Sequence, residues 1–340
     1  MSGSLAGLGA DGWLAFAAAA ATSYLLLLLL LPLLKRRALV HPNARSSHKV
    51  PTPQGAGLAV IAATLGVVIV CDLIGVTGAP LSLWLVLAAT AFIAVVGGID
   101  DIHSIAVVPR LLLQAAAVAI VAVALPDDLR VAPFLPLWIE RACEGLALLW
   151  FVNLTNFMDG IDWMTVAEVV PVSTGLVLLG LMGALPREAT LTALALCGAT
   201  IGFAPVNRPV ARLFLGDVGS LPIGLLLGWL LIVLAGRGEV AAALLLPLYY
   251  LADATVTLLR RAAKGEPVWQ AHRSHFYQRA TDNGYSVLQI VGRVLLLNIV
   301  LIALAIATLL TGSLPLHVAA LLVGCALVAW LLYRFNSARA

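Results

Sequence analysis

The stretch WLAFAAAAATSYLLLLLLLPLLKRR, residues 13–37, decides the fold class. Residues 13–34 carry no charge, and a helix needs about 20 apolar residues to cross a bilayer. The basic cluster Lys35-Arg36-Arg37 follows at once. The rest of the chain repeats the pattern. Hydrophobic residues make up 62% of it and charged residues 11%, against about 45–50% and 25% in soluble domains. That excludes an ordinary soluble enzyme, a disordered chain and a collagen-like repeat. The apolar runs are unbroken, as in Leu25–Leu31, so an outer-membrane barrel with alternating strands is excluded too. The sequence predicts an all-α polytopic integral membrane protein, residues 1–340 forming a single transmembrane domain.

Eleven spans are expected, near 13–34, 56–76, 82–99, 108–125, 141–158, 164–182, 189–206, 218–235, 240–258, 287–310 and 315–333. Residues 1–12 hold no Lys or Arg, so the first span lacks the basic start of a cleaved signal peptide and reads as an N-out anchor. With the N-terminus outside, sixteen of the 20 Lys and Arg residues fall on the inner side and four, Arg130, Arg141, Arg187 and Arg237, on the outer. The excess marks the cytoplasmic face and puts the C-terminus inside. Cys71, Cys143, Cys197 and Cys325 stand singly in apolar stretches with no metal-site spacing, and read as small packing residues.

Every dense polar cluster lies in an inside connection: HPNARSSHKVPTPQGAG (41–57), GGIDDIHS (97–104), NLTNFMDGID (153–162), NRPVARLFLGDVGS (207–220) and AHRSHFYQRATDNG (271–284). A transporter would be expected to string polar groups toward the bilayer midplane. Collection on one face implies an active site at the membrane surface, with a transporter gated by cytoplasmic loops as the alternative.

The residue types specify the chemistry. Asp100 and Asp101 are adjacent carboxylates, which stay ionised together only beside a cation; the plain alternative is a solvated loop start. Asn153, Asn156, Asp159 and Asp162 recur every three residues, one stripe of a helix, suited to a metal, phosphates or sugar hydroxyls, or else to helix-to-helix hydrogen bonds. Asp217, between Gly216 and Val218-Gly219-Ser220, either caps a helix or presents a carboxylate to Mg²⁺, which favours carboxylate and phosphate oxygens. His272, Arg273 and His275, with Asn43, Arg45, Ser46 and His48, supply donors for phosphate; the alternative is a basic loop drawn to anionic lipid. Asp253 lies within the ninth span, a functional candidate by its position or a structural partner of Arg260. Phosphate donors beside metal-binding carboxylates are the parts of a phosphoryl-transfer site.

Taken in order, PNARSSHKVPTPQGAG, GGIDD, NFMDGID, FLGDVGS and HRSHFYQR, with PLYYLADATVTLLRR before the last, resemble the polyprenyl-phosphate N-acetylhexosamine-1-phosphate transferases. This group (glycosyltransferase family 4) holds the bacterial initiators of O-antigen and common-antigen synthesis and the peptidoglycan translocase. The resemblance runs from residue 42 to 279. It implies transfer of a sugar-1-phosphate from a UDP-N-acetylhexosamine to undecaprenyl phosphate with release of UMP, at the cytoplasmic face of a bacterial inner membrane. It also implies Mg²⁺, with Mn²⁺ as a substitute, and leaves a homodimer open. By the same resemblance Asp100, Asp101 and Asp159 are catalytic, and Asp217 with Asp101 holds the metal. Asn43, Arg45, Ser46, His48, Asn153, Asn156, Asp162, His272, Arg273 and His275 bind substrate. Two departures stand out. Trp163 follows Asp162 where the family often has Gly, and Gln54 and Ala56 stand where it often has Arg and Gly. A CDP-alcohol phosphatidyltransferase would need a D-G-x-x-A-R arrangement, which Asp159-Gly160-Ile161-Asp162-Trp163-Met164 does not provide.

Overall fold

The computed structural model describes residues 9–40, 51–267, 270 and 272–338. The chain runs α1 (Gly9–Arg37), β1 (Leu39–Val40), β2 (Thr52–Pro53), α2 (Gly57–Leu73), α3 (Leu81–Ile102), α4 (Val107–Ala124), α5 (Leu137–Met158), α6 (Met164–Leu181), α7 (Arg187–Asn207), α8 (Asp217–Gly236), α9 (Val240–Leu245), α10 (Leu248–Ala263), α11 (Phe276–Asp282), α12 (Val287–Thr311) and α13 (Leu314–Asn336). The two short strands pair antiparallel, Leu39 opposite Pro53 and Val40 opposite Thr52.

Each of the eleven expected segments coincides with a helix or a helix pair, but among the described residues only eight helices are long and apolar enough to span a membrane. The other three fall short for separate reasons. α2 is 17 residues long. α5 carries Glu140, Arg141 and Glu144 near its start, held in ion pairs Arg130–Glu140 at 2.6 Å and Arg141–Glu144 at 2.7 Å. The ninth segment breaks at Leu246-Pro247 into α9 and α10, because proline cannot supply the amide that would continue the helix.

α8 is the axis of the bundle. Its most apolar window is 94% buried, against 22% for α1 and 28% for α13, and it packs on α2, α3, α5 and α9. A helix that is apolar all round belongs inside. The outer helices present Leu, Val and Trp side chains outward, Trp13, Leu29 and Trp330 among them. Because α8 is central, residues at its N-terminus, from Asp217 onward, are met by several neighbours at once.

Candidate active site

The first joint lies between the end of α3 and the start of α8. α8 has no side-chain cap of its own. Asp101 supplies one from the neighbouring helix: its Oδ1 accepts the Asp217 amide at 2.8 Å and its Oδ2 the Val218 amide at 3.1 Å. The carboxylate therefore meets the positive end of the α8 dipole. Small residues permit the approach. Gly216 has φ 77°, and a Cβ there would lie 2.5 Å from Asp101 Oδ2. A Cβ on Gly97 would collide with the Asp217 carbonyl, and one on Gly57 with the backbone of Gly219. The QGAG segment docks in the same place. Gly55 and Ala56 amides donate to the Phe214 carbonyl at 3.1 and 3.0 Å, and Gln54 Nε2 donates to Asp101 Oδ1 at 2.9 Å. The residue standing where the family often has Arg is thus a neutral donor to the same aspartate.

Asp100 turns the other way. Its carboxylate accepts the Ile105 amide at 2.6 Å and pairs with Arg110 at 2.9 Å, yet it also meets the Asp217 carboxyl. α5 closes the third side. Asn156 Nδ2 donates to Asp217 Oδ1 at 2.7 Å and to Ser220 Oγ at 3.0 Å, while Asn153 donates to Gln114 Oε1 at 2.8 Å. Asp159, just beyond α5, accepts from the Thr165 hydroxyl. It is partly exposed, but the protein surrounds its carboxyl closely enough that loss of solvation raises it to about 7; the Thr165 bond opposes this, and Asp217, Asp101 and Asp162 add to it. Asp162 faces away. Its Oδ2 accepts the Ala211 amide at 2.9 Å, so it fastens the 208–216 loop.

The fourth side is the segment from α10 to α11. Asp253 is fully buried. It accepts the amides of Phe276 at 3.0 Å and Tyr277 at 3.1 Å and lies 3.3 Å from His275 Nδ1. The partner offered by the sequence, Arg260, stacks instead on the Phe276 ring at 5.1 Å: α10 turns its polar face, Asp253 included, toward α11. Tyr277 donates its hydroxyl to the Phe157 carbonyl at 2.9 Å, a contact that a Cβ on Gly160 would block. His272 stacks on His275, ring centroids 4.9 Å apart. Burial, then the neighbouring His275 and Arg261, lower its pKa to about 4 against the pull of Glu266. Arg273 reaches Thr281 at 2.8 Å and Asp282 at 3.1 Å. Asn43, Arg45, Ser46 and His48 lie outside the described residues.

α4 with the turn before it, α5, α10 and the 270–278 segment line a cavity of about 780 Å³, with Arg110, Asn153, Asn156, His272, His275 and Gln278 among its polar residues and Leu111, Leu146, Leu149, Trp150 and Leu258 among its apolar ones. It meets the aspartates through Asn156 and Arg110, which bond to Asp217 and Asp100. Sequence reasoning passed over Arg110, Gln114 and Gln278. Arg110 and Gln114 lie one helical turn apart on α4, which was a legible signal. Gln278 had none outside its motif.

Among the described residues no three His, Cys, Asp or Glu side chains form a ready-made metal cage. The donor set nevertheless suits Mg²⁺, which takes one or two carboxylates and completes its shell with water and substrate phosphate. The Asp100 and Asp217 carboxyls meet, with Arg110 paired to Asp100 at 2.9 Å and Asn156 donating to Asp217 at 2.7 Å, and two such groups need a shared proton or a cation.

Comparison with known proteins agrees with this geometry. The chain is 27% identical to the probable undecaprenyl-phosphate N-acetylglucosaminyl 1-phosphate transferase of Bacillus subtilis, over 75% of this chain and 74% of that one. It is 26% identical to the decaprenyl-phosphate N-acetylglucosaminephosphotransferase of Mycobacterium tuberculosis, over 86% and 80%. To the phospho-N-acetylmuramoyl-pentapeptide-transferase of Neisseria meningitidis it is 28% identical, over 46% and 47%. Residues 83–235, which hold the aspartate pair, the asparagine stripe and Asp217, match the sequence pattern of glycosyl transferase family 4.

Proposed function

We propose that the protein is a polyprenyl-phosphate N-acetylhexosamine-1-phosphate transferase. The acceptor is undecaprenyl phosphate, the donor UDP-N-acetylglucosamine, and the products are UMP and a lipid-linked sugar diphosphate. The relatives named for N-acetylglucosamine support the choice of donor. The observation that carries the reading is the cavity wall itself, which combines amide, imidazole and guanidinium groups with leucines and a tryptophan and includes Asn156, the donor to Asp217. A phosphorylated polyprenol combines the same two chemistries.

Asp217 with Asp100 would hold Mg²⁺, which supplies charge neutralisation on the phosphates when bound. Asp101 fixes Asp217 by capping α8, and Asn156 orients the Asp217 carboxylate. Asp159 is positioned beside them as a carboxyl that can take or release a proton near neutral pH. Arg110 and Gln278 face the cavity with donors for phosphate or sugar oxygens, while the Asn153 amide nitrogen is already held by Gln114 and the Leu149 carbonyl. His275, held by Asp253, orders the loop carrying His272, and Arg273 sits on an exposed pair from which it can exchange to phosphate. The acceptor phosphate is mostly dianionic at neutral pH, its second pKa being about 6, so it can attack the β-phosphorus directly. We infer one transferase domain in which α2, α5 and the α9–α10 pair complete eleven crossings, giving an external N-terminus, an internal C-terminus and a cytoplasmic site in a bacterial inner membrane. The test is UMP release from a panel of UDP-N-acetylhexosamines with and without undecaprenyl phosphate. Release that ignores the lipid, or none with any donor, overturns the reading.

A further inference from the structure

α10 carries a second polar feature that the transfer reaction does not use. Thr257, Arg260, Arg261 and Lys264 recur at spacings of three and four, so they share one face. Val256 and Leu259, 38% and 62% exposed, lie on the adjoining face. An exposed apolar strip beside a basic one is the pattern of a helix end at a membrane surface.

The basic face, with Ser274 and Arg279, lines a cavity of about 40 Å³. It shares no lining residue with the larger cavity. The intervening segment turns His272, His275 and Gln278 to the larger one and Ser274 and Arg279 to this one. The charges do not cancel. Glu266, the acidic residue of the lining, is taken by Arg261 Nε at 2.9 Å, and the other Arg261 nitrogens donate to the Pro267 and Gln270 carbonyls. Arg260 rests on the Phe276 ring. Lys264 and Arg279 form no ion pair among the described residues. Three cations therefore face a space with room for about three water-sized groups. A space of that size matches the scale of a phosphate group and is too small to enclose a sugar nucleotide.

We propose that this pocket binds the headgroup phosphate of an anionic membrane phospholipid, bracing the back of the segment that carries His272 and His275. The exposed Val256 and Leu259 favour a lipid over free phosphate, because they place acyl chains beside the basic face. The inference goes beyond the transferase reading and its test does not use turnover.

The full-length protein, purified in detergent, is mixed with phosphatidylglycerol or phosphatidylcholine, and retained lipid is read by native mass spectrometry. The wild type is expected to retain phosphatidylglycerol in preference to phosphatidylcholine, with excess inorganic phosphate failing to displace it. Lys264→Gln with Arg279→Gln should weaken retention by about twenty-five-fold, at roughly fivefold for each cation lost. Lys264→Arg with Arg279→Lys, and the distant Arg37→Gln, should retain it. Equal retention of the two lipids by the wild type, displacement by inorganic phosphate, or undiminished retention by the neutralised pair overturns the proposal. The wild-type comparison decides even if the neutralised pair does not fold.

Discussion

Asp253 of α10 and His275, the residue that precedes α11, face each other at 3.3 Å, and the same carboxylate holds the Phe276 and Tyr277 amides. One buried side chain thus fixes the whole start of α11. Removing one partner of a buried charged cluster typically costs about 3–5 kcal/mol. Asp253→Ala is expected to lower the thermal midpoint markedly in detergent and to reduce transferase activity. Asp253→Asn, which keeps one acceptor oxygen, should fall between it and the wild type. Unchanged melting of the alanine variant would mean that α11 is anchored elsewhere.

Gly97 and Gly98 make a matched test of the α3–α8 joint. A Cβ on Gly97 collides with the Asp217 carbonyl, whereas one on Gly98 meets Val218 Cγ2 at an ordinary 3.5 Å. Overpacking of this kind typically costs about 1–3 kcal/mol. Gly97→Ala should displace Asp217, destabilise the fold by about that amount and depress activity. Gly98→Ala should pass nearly unnoticed. Equal activity and melting for the two variants would show that the close approach has no role in placing Asp217.

The positions of the helices and the polar clusters within the described residues were legible because each is a local property of the chain: an apolar run, or a group of residues within one loop. What was not legible was pairing across the fold. Asp101 read as a metal ligand because adjacent carboxylates suggest a cation. That its oxygens accept amides 116 and 117 residues further on depends on α3 lying against α8. Asp162 shared the helical spacing of Asn153, Asn156 and Asp159, but α5 ends at Met158. The continuation turns, and Asp162 points into the 208–216 loop. Trp163 shows the reverse case. The family often has Gly there, and the structure gives the reason: φ is 62°, a region costly for bulky residues. Here the strained backbone is held by Asn207 Oδ1 on the Trp163 amide at 2.8 Å and by the indole on the Ala204 carbonyl at 2.7 Å.

The proposed topology can be checked from both sides of the membrane. With the native cysteines replaced, a cysteine at Ser274 should react with a membrane-impermeant thiol reagent only after the cells are opened, and one at Asp127 in intact cells. The charge excess that supports this orientation acts on loops near the spans. Labelling of the Ser274 position from outside would overturn the cytoplasmic site.

His272 gives a pH dependence with a definite sign. Its pKa lies near 4, below the ordinary 6.5, chiefly because burial disfavours the charged ring. Above pH 6.5 the ring is neutral folded and unfolded, and contributes nothing. Between about 6.5 and 4 the unfolded chain binds a proton that the fold does not, so stability falls as the pH falls. Below about 4 both states are protonated and the loss levels off. His272→Gln removes the titrating ring and should flatten this part of the thermal midpoint against pH. Parallel curves for the two proteins would show that the ring titrates normally.

Asp217 is the residue on which the metal reading rests. Its carboxylate accepts from Asn156 at 2.7 Å, its own amide is held by Asp101, and Asp100 and Asp159 stand close by. A donor diphosphate and an acceptor phosphate would bring several more negative charges to this place. Two unit charges 4 Å apart repel by about 4 kcal/mol at an effective dielectric near 20, and the cations facing the cavity offset only part of that sum. On the proposed reading a divalent cation would offset this repulsion and let both phosphates approach. Activity should vanish with a chelator and return with Mg²⁺ or Mn²⁺. Asp217→Asn keeps the shape and the Asn156 contact through its amide oxygen but removes the charge, so turnover should drop by at least about a hundredfold, some 2.7 kcal/mol of barrier. Asp101→Asn acts differently, because Asp101 caps α8: it should lower the thermal midpoint as well as turnover, whereas Asp217→Asn should leave melting near that of the wild type in the absence of metal. The discriminating measurement is melting with and without Mg²⁺. The cation should raise the midpoint of the wild type and fail to raise that of Asp217→Asn. Full turnover in the chelator, or an equal Mg²⁺ response from both proteins, would place the metal elsewhere or remove it from the reaction.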